Sequence, residues 1–142
     1  MHITKGDFLL SDNKDQLNIE VIHGFLTNSY WAKGISQEIV EKSIQHSLCF
    51  GVYKQNNQIG FARIISDYAT FAYLADVFIL ESARGNGLAK WMVELIKKHP
   101  DLQGLRRWLL ATSDAHSLYA QYGGFTPITD PGIWMEIRTP YE

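Results

Sequence analysis

The first third of the chain combines one strand-like stretch with two helical patterns. A strand is predicted over residues 3–10, and after it apolar residues recur at helical spacing from Ile19 to Leu26. A loop over residues 27–34 carries a pair of aromatic side chains. Ser36 then stands where an N-cap residue belongs, and the apolar stripe after it predicts a second helix.

Beyond the second helix the pattern changes to that of strands. Residues 48–55 and 58–66 flank Asn56-Asn57, a pair that tolerates positive φ and therefore predicts a hairpin turn. Residues 71–80 are apolar at nearly every position, which is typical of a strand covered on both faces.

The last third of the chain predicts one long helix, one short helix and two more strands. The long helix begins at Leu88 and is ended by His99-Pro100. A buried strand over residues 107–112, a short helix over 114–121 and a final strand over 133–138 follow. The predicted order is β-α-α-β-β-β-α-β-α-β, an α/β arrangement in which helices cover both faces of a mixed sheet.

Length and composition predict that these elements form a single domain spanning residues 1–142. The chain of 142 residues and 16.2 kDa has the size of one ordinary domain, and its 46% of hydrophobic residues is enough to bury a core. Its 13 basic and 15 acidic side chains give a net charge of −2. That balance argues against a nucleic-acid partner held by bulk positive charge.

Cysteine, histidine and apolar content restrict the class of protein further. The one cysteine, Cys49, excludes an internal disulfide and a multi-cysteine metal site, and the dispersed histidines give no metal-ligand spacing. No apolar run reaches the roughly 18 residues of a membrane span, and the opening residues lack the apolar core of a signal peptide. We therefore expect a cytoplasmic protein with no metal and no membrane partner.

The stretch with the most chemical information is a glycine loop before the long helix, Arg84-Gly85-Asn86-Gly87. Its glycines let the backbone approach a ligand, and the free amides and dipole of the following helix suit a phosphate or pyrophosphate. The loop lacks the Gly-Lys-Ser/Thr end of a nucleotide P-loop, and Lys90 stands where a dinucleotide fingerprint has a small residue. A plain strand-to-helix turn is the alternative interpretation.

The loop is the first part of a longer pattern. Arg84-Gly85-Asn86-Gly87-Leu88-Ala89 matches Q/R-x-x-G-x-G/A at every fixed position. Further on, Ala115-His116-Ser117-Leu118-Tyr119 and then Gly124-Phe125 match A-x-x-L-Y followed by G-F. With both motifs in this order, the chain resembles the GNAT (GCN5-related) N-acetyltransferase superfamily over nearly its whole length. It departs from the family by an extra residue before Gly-Phe, and by Thr112 where asparagine is frequent.

The resemblance implies a GNAT-like fold, a mixed and mostly antiparallel sheet of about 6–7 strands flanked by about 4 helices. It implies direct transfer of an acetyl group from acetyl-CoA to a primary amine in a ternary complex of enzyme, acetyl-CoA and amine. The amine belongs to a small molecule or to a protein, and the enzyme is a monomer or a homodimer. A non-catalytic acyl-CoA-binding regulatory module is the alternative. The residues implied to contact the cofactor are Val77, Phe78, Ile79, Arg84, Gly85, Asn86, Gly87, Leu88, Ala89, Lys90 and Thr112.

Tyr119, at the motif position, is the candidate general acid. A phenol with an unperturbed pKa near ~10 stays protonated at neutral pH and can donate to the leaving thiolate. The alternative is a tyrosine that only packs the short helix against the sheet. The extra residue before Gly124-Phe125 predicts a bulge at the end of that helix, and it leaves open whether Tyr122 takes the role instead.

Asp76 is a carboxylate in an otherwise apolar strand, where regular alternation places it on one face with Leu74 and Phe78. Burying a carboxylate is costly unless it is paired or borders a cavity. Asp76 is therefore a candidate base or ammonium anchor, and a structural role, paired with Arg63 or bonded to backbone amides, is an equal alternative.

The aromatic pair Tyr30-Trp31 lies in the loop that borders the acceptor pocket in the family that the chain resembles. These side chains are interpreted either as a wall of that pocket or as a lid over the core. Together with Arg63 they complete the set of residues expected on the acceptor side.

Overall fold

The computed structural model describes residues 1–141, folded around a six-stranded sheet whose strands lie side by side in chain order. The strands are β1 (His2–Lys5), β2 (Phe8–Ser11), β3 (Leu48–Lys54), β4 (Asn57–Ser66), β5 (Phe71–Ile79) and β6 (Arg107–Leu109). The helices are α1 (Ile19–Leu26), α2 (Gln37–Gln45), α3 (Leu88–Lys97) and α4 (His116–Gly123). Neighbouring strands are antiparallel except for the parallel pair β5 and β6, so the predicted fold class is confirmed.

Helices cover both faces of the sheet, as the binary pattern predicts. α1 and α2 pack on one face in a cluster that includes Phe61 and Phe78, which we call the α1–α2 cluster. α3 and α4 pack on the other face around Phe50, Leu74 and Met92, which we call the α3–α4 cluster. Burial of such side chains contributes roughly 1.5–3 kcal/mol each, so both layers hold the sheet between them.

Local signals at element ends were mostly correct within one or two residues. Ser36 caps α2 by accepting the backbone N–H of Ile39, as predicted. The first strand is in fact a hairpin, because Gly6 turns the chain between β1 and β2 with a φ of 58°. The second hairpin turns at Gln55 and Asn56, which both have positive φ, one residue earlier than predicted.

The prediction of a final strand over residues 133–138 is wrong for the single chain. Residues 131–133 form a short 3-10 turn, and the residues after it up to 141 pair with no strand in the described chain. The strand over 107–112 is also shorter than predicted and ends at Leu109. An alternating apolar pattern gives a strand only where the segment pairs with a neighbouring strand, and residues 133–138 pair with none within residues 1–141.

β5 contains a β-bulge opposite β4. The pairing shifts by one residue between Phe61 and Arg63, so β5 has one residue more than β4 across this stretch. Asp76 lies in the bulge with a φ of 56°, a left-handed conformation that costs about 1 kcal/mol and that aspartate tolerates. Leu74 packs in the α3–α4 cluster but Phe78 in the α1–α2 cluster, so the prediction of a shared face is wrong. The extra residue reverses the alternation.

Candidate active site

The two parallel strands β5 and β6 lie at one edge of the sheet and separate after a short pairing. β5 pairs with β6 only through residues 71–73, opposite residues 107–109. Residues 74–79 of β5 have no strand partner on that side within the described part of the chain. An open strand edge of this kind offers backbone donors and acceptors to an extended ligand. Residues 77–79, predicted to contact a cofactor, lie on this open edge.

The glycine loop follows the open edge and leads into α3. Gly85 has a φ of 88° and Gly87 a φ of 70°, conformations that favour glycine. A Cβ atom at Gly85 would meet no atom within 4 Å, so the backbone there faces open space. The backbone N–H groups of residues 85–90 donate to no acceptor in residues 1–141. These free donors, together with the positive end of the α3 dipole, fit a phosphate or pyrophosphate.

Two side chains of the loop hold its shape. Arg84 Nε donates to the backbone oxygen of Ile79 at 3.1 Å, which ties the loop to the end of β5. Asn86 Nδ2 donates to the backbone oxygen of Ala83 at 2.9 Å. Both side chains are thus engaged with the protein's own backbone, and the free donors of the loop are main-chain groups.

The first turn of α3 contributes backbone and one charge. Leu88 is buried in the α3–α4 cluster and anchors the helix start, while Ala89 is half-buried. Lys90 is exposed, and its Nζ lies 5.6 Å from the centre of the Tyr122 ring. Tyr122 therefore lies near the side chain of Lys90, in the first turn of α3.

Tyr119 lies deeper than Tyr122. The residue is 8% exposed and belongs to the α3–α4 cluster, with its ring edge-to-face against Phe125 at 6.0 Å. Burial, and to a lesser degree the nearby Tyr30 and Asp114, raise the pKa of Tyr119 to about 12. The hydroxyl makes no hydrogen bond to any of residues 1–141 and is not sealed in the core, so it can donate to a bound molecule.

The last turn of α4 has an irregular hydrogen-bond pattern. The backbone N–H groups of Gly124 and Phe125 both donate to the carbonyl of Tyr119, five and six residues earlier. This last turn is wider than a regular α-helical turn, and Gly124 closes it with a φ of 75°. The bulge predicted from the extra residue is confirmed.

The loop before α2 is fastened to the segment before α4. The hydroxyl of Tyr30 accepts a hydrogen bond from the backbone N–H of Ser113 at 3.1 Å, which holds the pKa of Tyr30 below its ordinary value. Thr112 Oγ1 accepts the N–H of Ala115 at 3.1 Å and so supports the start of α4. The Thr112 side chain also lies near the Tyr30 hydroxyl and contributes to lowering the pKa of Tyr30.

Both oxygens of Asp76 are occupied. Trp31 Nε1 donates to one at 3.0 Å, and Arg63 Nε donates to the other at 2.8 Å. Arg63 in turn donates from Nη1 to Ser47 Oγ at 3.1 Å, and the two side chains of the ion pair are only 16% and 10% exposed. The pairing with Arg63 that the sequence left open is therefore present, and Asp76 also fixes the indole of Trp31.

Replacing Asp76 with asparagine will lower the free energy of unfolding by about 1–3 kcal/mol, because the largely buried Arg63 loses its anion. Urea denaturation measures this loss. Glu94→Gln is the matched control, since Glu94 is exposed and makes no ion pair in the described chain, and we expect a change within about 0.5 kcal/mol. An Asp76→Asn variant of unchanged stability but lost turnover would instead identify the carboxylate as a base or ammonium anchor.

Sequence reasoning missed three contributors. Ser47 receives the second hydrogen bond of Arg63, and the N–H of Ser113 holds Tyr30. Phe25 stacks on Phe78 at 4.1 Å beside Trp31. The two serines carry no sequence signal, because each contact joins residues far apart in the chain. The only sequence signal for Phe25 was its position in the helical spacing of α1.

An open strand edge followed by a loop of free amides defines a class of protein that binds an extended, phosphorylated cosubstrate. An acyl carrier with a pyrophosphate and a peptide-like arm fits both parts, since the arm matches a strand edge and the pyrophosphate a helix start. No cluster of His, Cys, Asp or Glu suited to a metal ion occurs in residues 1–141. No helix in that part of the chain is long and apolar enough to cross a membrane.

Comparison with known proteins identifies the family. The model of the acetyltransferase (GNAT) family matches residues 20–125. A Xanthomonas campestris pv. campestris protein, described as a candidate acetyltransferase of the GNAT family, shares 51% identity over 94% of both chains with a TM-score of 0.91. A candidate acetyltransferase of Gibberella zeae is 30% identical over 83% of this chain and 78% of its own. A candidate acetyltransferase of Clostridium acetobutylicum, solved with acetyl-CoA, is 17% identical over 92% of this chain and 94% of its own, and shares the fold with a TM-score of 0.64.

The chain belongs to the GNAT acetyltransferase family, and it is an acetyl-CoA-dependent acetyltransferase. The resemblance stated from the two sequence motifs is confirmed.

Proposed function

We propose that this protein transfers the acetyl group of acetyl-CoA directly to a primary amine. The observation that carries the proposal is the Tyr119 hydroxyl, a proton donor without a partner in residues 1–141, packed in the same cluster as Leu74 and Ile79 of the open strand edge. Direct transfer is favoured because Cys49 is 1% exposed and burial raises the pKa of its thiol to about 11. A buried, protonated thiol is a poor acceptor for an acetyl group.

The cofactor is proposed to bind along the open edge and the glycine loop. The pyrophosphate takes the amides of residues 85–90, and the exposed Arg84 and Lys90 add charge on either side. The pantetheine arm pairs with the backbone of residues 77–79 in the manner of an added strand. Thr112, three residues after the end of β6, completes the proposed cofactor site. The acetyl group then lies near the bulge at Asp76.

The reaction requires two contributions from this chain, which are stabilisation of the carbonyl oxygen and protonation of the leaving sulfur. The uncharged amine nitrogen bonds to the thioester carbonyl carbon, the C–S bond breaks, and the nitrogen gives up one proton to solvent. Negative charge appears first on the carbonyl oxygen and then on sulfur. A backbone N–H of the open edge would stabilise the oxygen. Tyr119 would donate to the sulfur. Burial raises the pKa of Tyr119 because it disfavours the charged phenolate. The same burial disfavours a thiolate at that place, so the pKa values of the phenol and the thiol rise together.

The acceptor amine is proposed to enter past Tyr30 and Trp31. Their rings meet edge-to-face at 5.1 Å, and Tyr30 is 58% exposed, so an aromatic wall faces the entrance. Such a wall attracts an ammonium group through its π faces. Asp76 contributes little free charge, because Arg63 and Trp31 share it. The acceptor is therefore an amine carried by a small molecule or by a protein chain, held mainly by aromatic contact.

We also propose that residues 1–142 form one acetyltransferase domain and that it works in the cytoplasm. The α1–α2 and α3–α4 clusters share a single sheet, which supports one domain. The one cysteine is buried and unpaired, which suits a reducing compartment.

Steady-state release of free thiol from acetyl-CoA tests the proposal. The panel contains alkyl amines, an amino sugar, and peptides with a free N-terminus or a lysine. We expect release with at least one amine and none with its N-acetylated form. Calorimetry with coenzyme A runs in parallel. Tight binding of coenzyme A without turnover on any of these amines would contradict the proposal and identify a regulatory acyl-CoA-binding module.

A further inference from the structure

Three apolar side chains stand side by side across β4, β5 and β6. The registers pair Ile65 of β4 with Tyr73 of β5, and Tyr73 with Leu109 of β6. Paired residues of neighbouring strands point to the same face of a sheet, so these three side chains form one line, which we call the apolar row. Ile65 is 43% exposed, and Tyr73 and Leu109 are half-buried. The row therefore presents apolar surface to solvent.

The apolar row lies on the face of the sheet that α1 and α2 cover in part. Ala72 and Leu74, on either side of Tyr73, are buried in the α3–α4 cluster, so Tyr73 points to the opposite face. On that face, β4 and β5 contribute Phe61 and Phe78 to the α1–α2 cluster. The residues of the apolar row belong to neither cluster. The two helices thus leave this end of the face open.

The apolar row adjoins the place proposed for the acetyl group. Along β4 it begins two residues after Arg63, which is paired with Asp76 in the bulge. Because a strand rises by roughly 3.3 Å per residue, Tyr73 lies about 10 Å along β5 from the bulge. Towards the other end of β5 the same face is closed, since Phe25 stacks on Phe78 at 4.1 Å. A bound amine that extends from the bulge along this face therefore lies over the apolar row.

Charge near the apolar row disfavours a second cationic group on the acceptor. The strands β4, β5 and β6 and the turn after β4 carry two carboxylates, and both are engaged. Arg63 and Trp31 donate to Asp76, and three backbone N–H groups and a threonine hydroxyl donate to Asp67. Arg107, exposed at the start of β6, adds a positive charge on the same face. A second ammonium group would meet this cation and no free anion of the three strands.

We propose that the acceptor is a small-molecule monoamine with an alkyl or phenylalkyl body, and that this body lies on the apolar row. The inference rests on the proposed function and specifies the class of its acceptor. The uncharged amine reaches the thioester near the bulge while its body covers Ile65, Tyr73 and Leu109, which removes apolar surface of both molecules from water. A hydroxyl or a peptide group in the same place would lose its hydrogen bonds to water.

Thiol release with amines of matched length tests this acceptor class. Hexylamine is compared with aminoethoxyethanol, which has the same number of heavy atoms and a polar body, with diaminopentane, and with Nα-acetyl-lysine amide. We expect kcat/KM, calculated on the concentration of uncharged amine, to be at least about tenfold higher for hexylamine than for each of the other three. An equal or higher kcat/KM for any of the three overturns the inference and leaves the proposed function intact. Absence of release with every amine overturns both.

Ile65→Asp tests the apolar row itself. The substitution places a free carboxylate in the row, so we expect kcat/KM for hexylamine to fall at least about tenfold, through KM, and kcat/KM for diaminopentane to rise. Calorimetry should show an unchanged affinity for coenzyme A. Ile39→Asp is the matched control, because Ile39 lies in α2 and is also 43% exposed, and it should keep the wild-type preference. A wild-type preference in Ile65→Asp overturns the inference.

Ile65→Thr covers the case in which circular dichroism shows that Ile65→Asp does not fold. Threonine retains the β-branched side chain that favours a strand and replaces apolar surface with a hydroxyl. We expect kcat/KM for hexylamine to fall by about threefold to tenfold, with an unchanged affinity for coenzyme A. An unchanged kcat/KM for hexylamine in this variant contradicts contact between the acceptor and the apolar row.

Discussion

Tyr119→Phe will lower kcat by about 10²–10⁴-fold and leave the affinity for coenzyme A near that of wild type. The substitution keeps the ring that packs against Phe125 and removes only the hydroxyl, which has no partner within residues 1–141. A donor used only as the C–S bond breaks affects turnover and not binding of the cofactor. Thiol release gives kcat, and calorimetry with coenzyme A gives the affinity.

The pH profile gives this experiment a second readout. Burial raises the pKa of Tyr119 to about 12, so the phenol keeps its proton across the range in which a free tyrosine, with a pKa of about 10, would lose it. Wild-type kcat should therefore show no decrease from this group near pH ~10. A decrease there that disappears in Tyr119→Phe would mean that the phenol is far less buried in the working enzyme.

Tyr122→Phe is the matched control for the assignment. Tyr122 lies beside the Lys90 side chain and is half-buried, whereas Tyr119 is 8% exposed in the α3–α4 cluster. We expect a kcat within a few-fold of wild type. A large decrease in Tyr122→Phe with a small one in Tyr119→Phe would show that the motif was aligned one turn wrongly. Small decreases in both would mean that water protonates the thiolate.

Gly85→Val will weaken the binding of coenzyme A by about tenfold or more, which is about 1.4 kcal/mol. A Cβ atom at Gly85 points into open space beside the free amides of residues 85–90, where the pyrophosphate is proposed to bind. The added side chain blocks that approach, and a φ of 88° strains any residue but glycine. Calorimetry with coenzyme A measures the effect.

Gly104→Val is the control that separates the effect of blocking the approach of coenzyme A from the effect of backbone strain. Gly104 also has a positive φ, of 75°, and a Cβ atom there also meets no atom within 4 Å, but it lies after α3, away from the loop. We expect both variants to lose similar stability and only Gly85→Val to lose affinity. Equal affinities in the two variants would remove the loop from the cofactor site.

The sequence by itself determined the features that depend on residues close together in the chain. Apolar spacing predicted all four helices within residues 1–141 and the central strands, because periodicity reports which face is buried whatever lies opposite. Ser36 predicted its helix start, and Arg84-Gly85-Asn86-Gly87 predicted a loop of free amides, since caps and glycine conformations depend on neighbours in the chain. The extra residue before Gly124 likewise predicted a wider helix end.

Only the tertiary structure decided contacts between distant residues. The bulge that reverses the faces of Leu74 and Phe78 comes from the register of β4 against β5, which no pattern within one strand reveals. The hydrogen bonds that tie Asp76 to Trp31 and Arg63 join three separate elements. The segment over residues 133–138 has the pattern of a strand, but a strand forms only by pairing with the edge of a sheet. Whether such an edge is accessible depends on how the whole sheet assembles and cannot be deduced from the segment's own sequence.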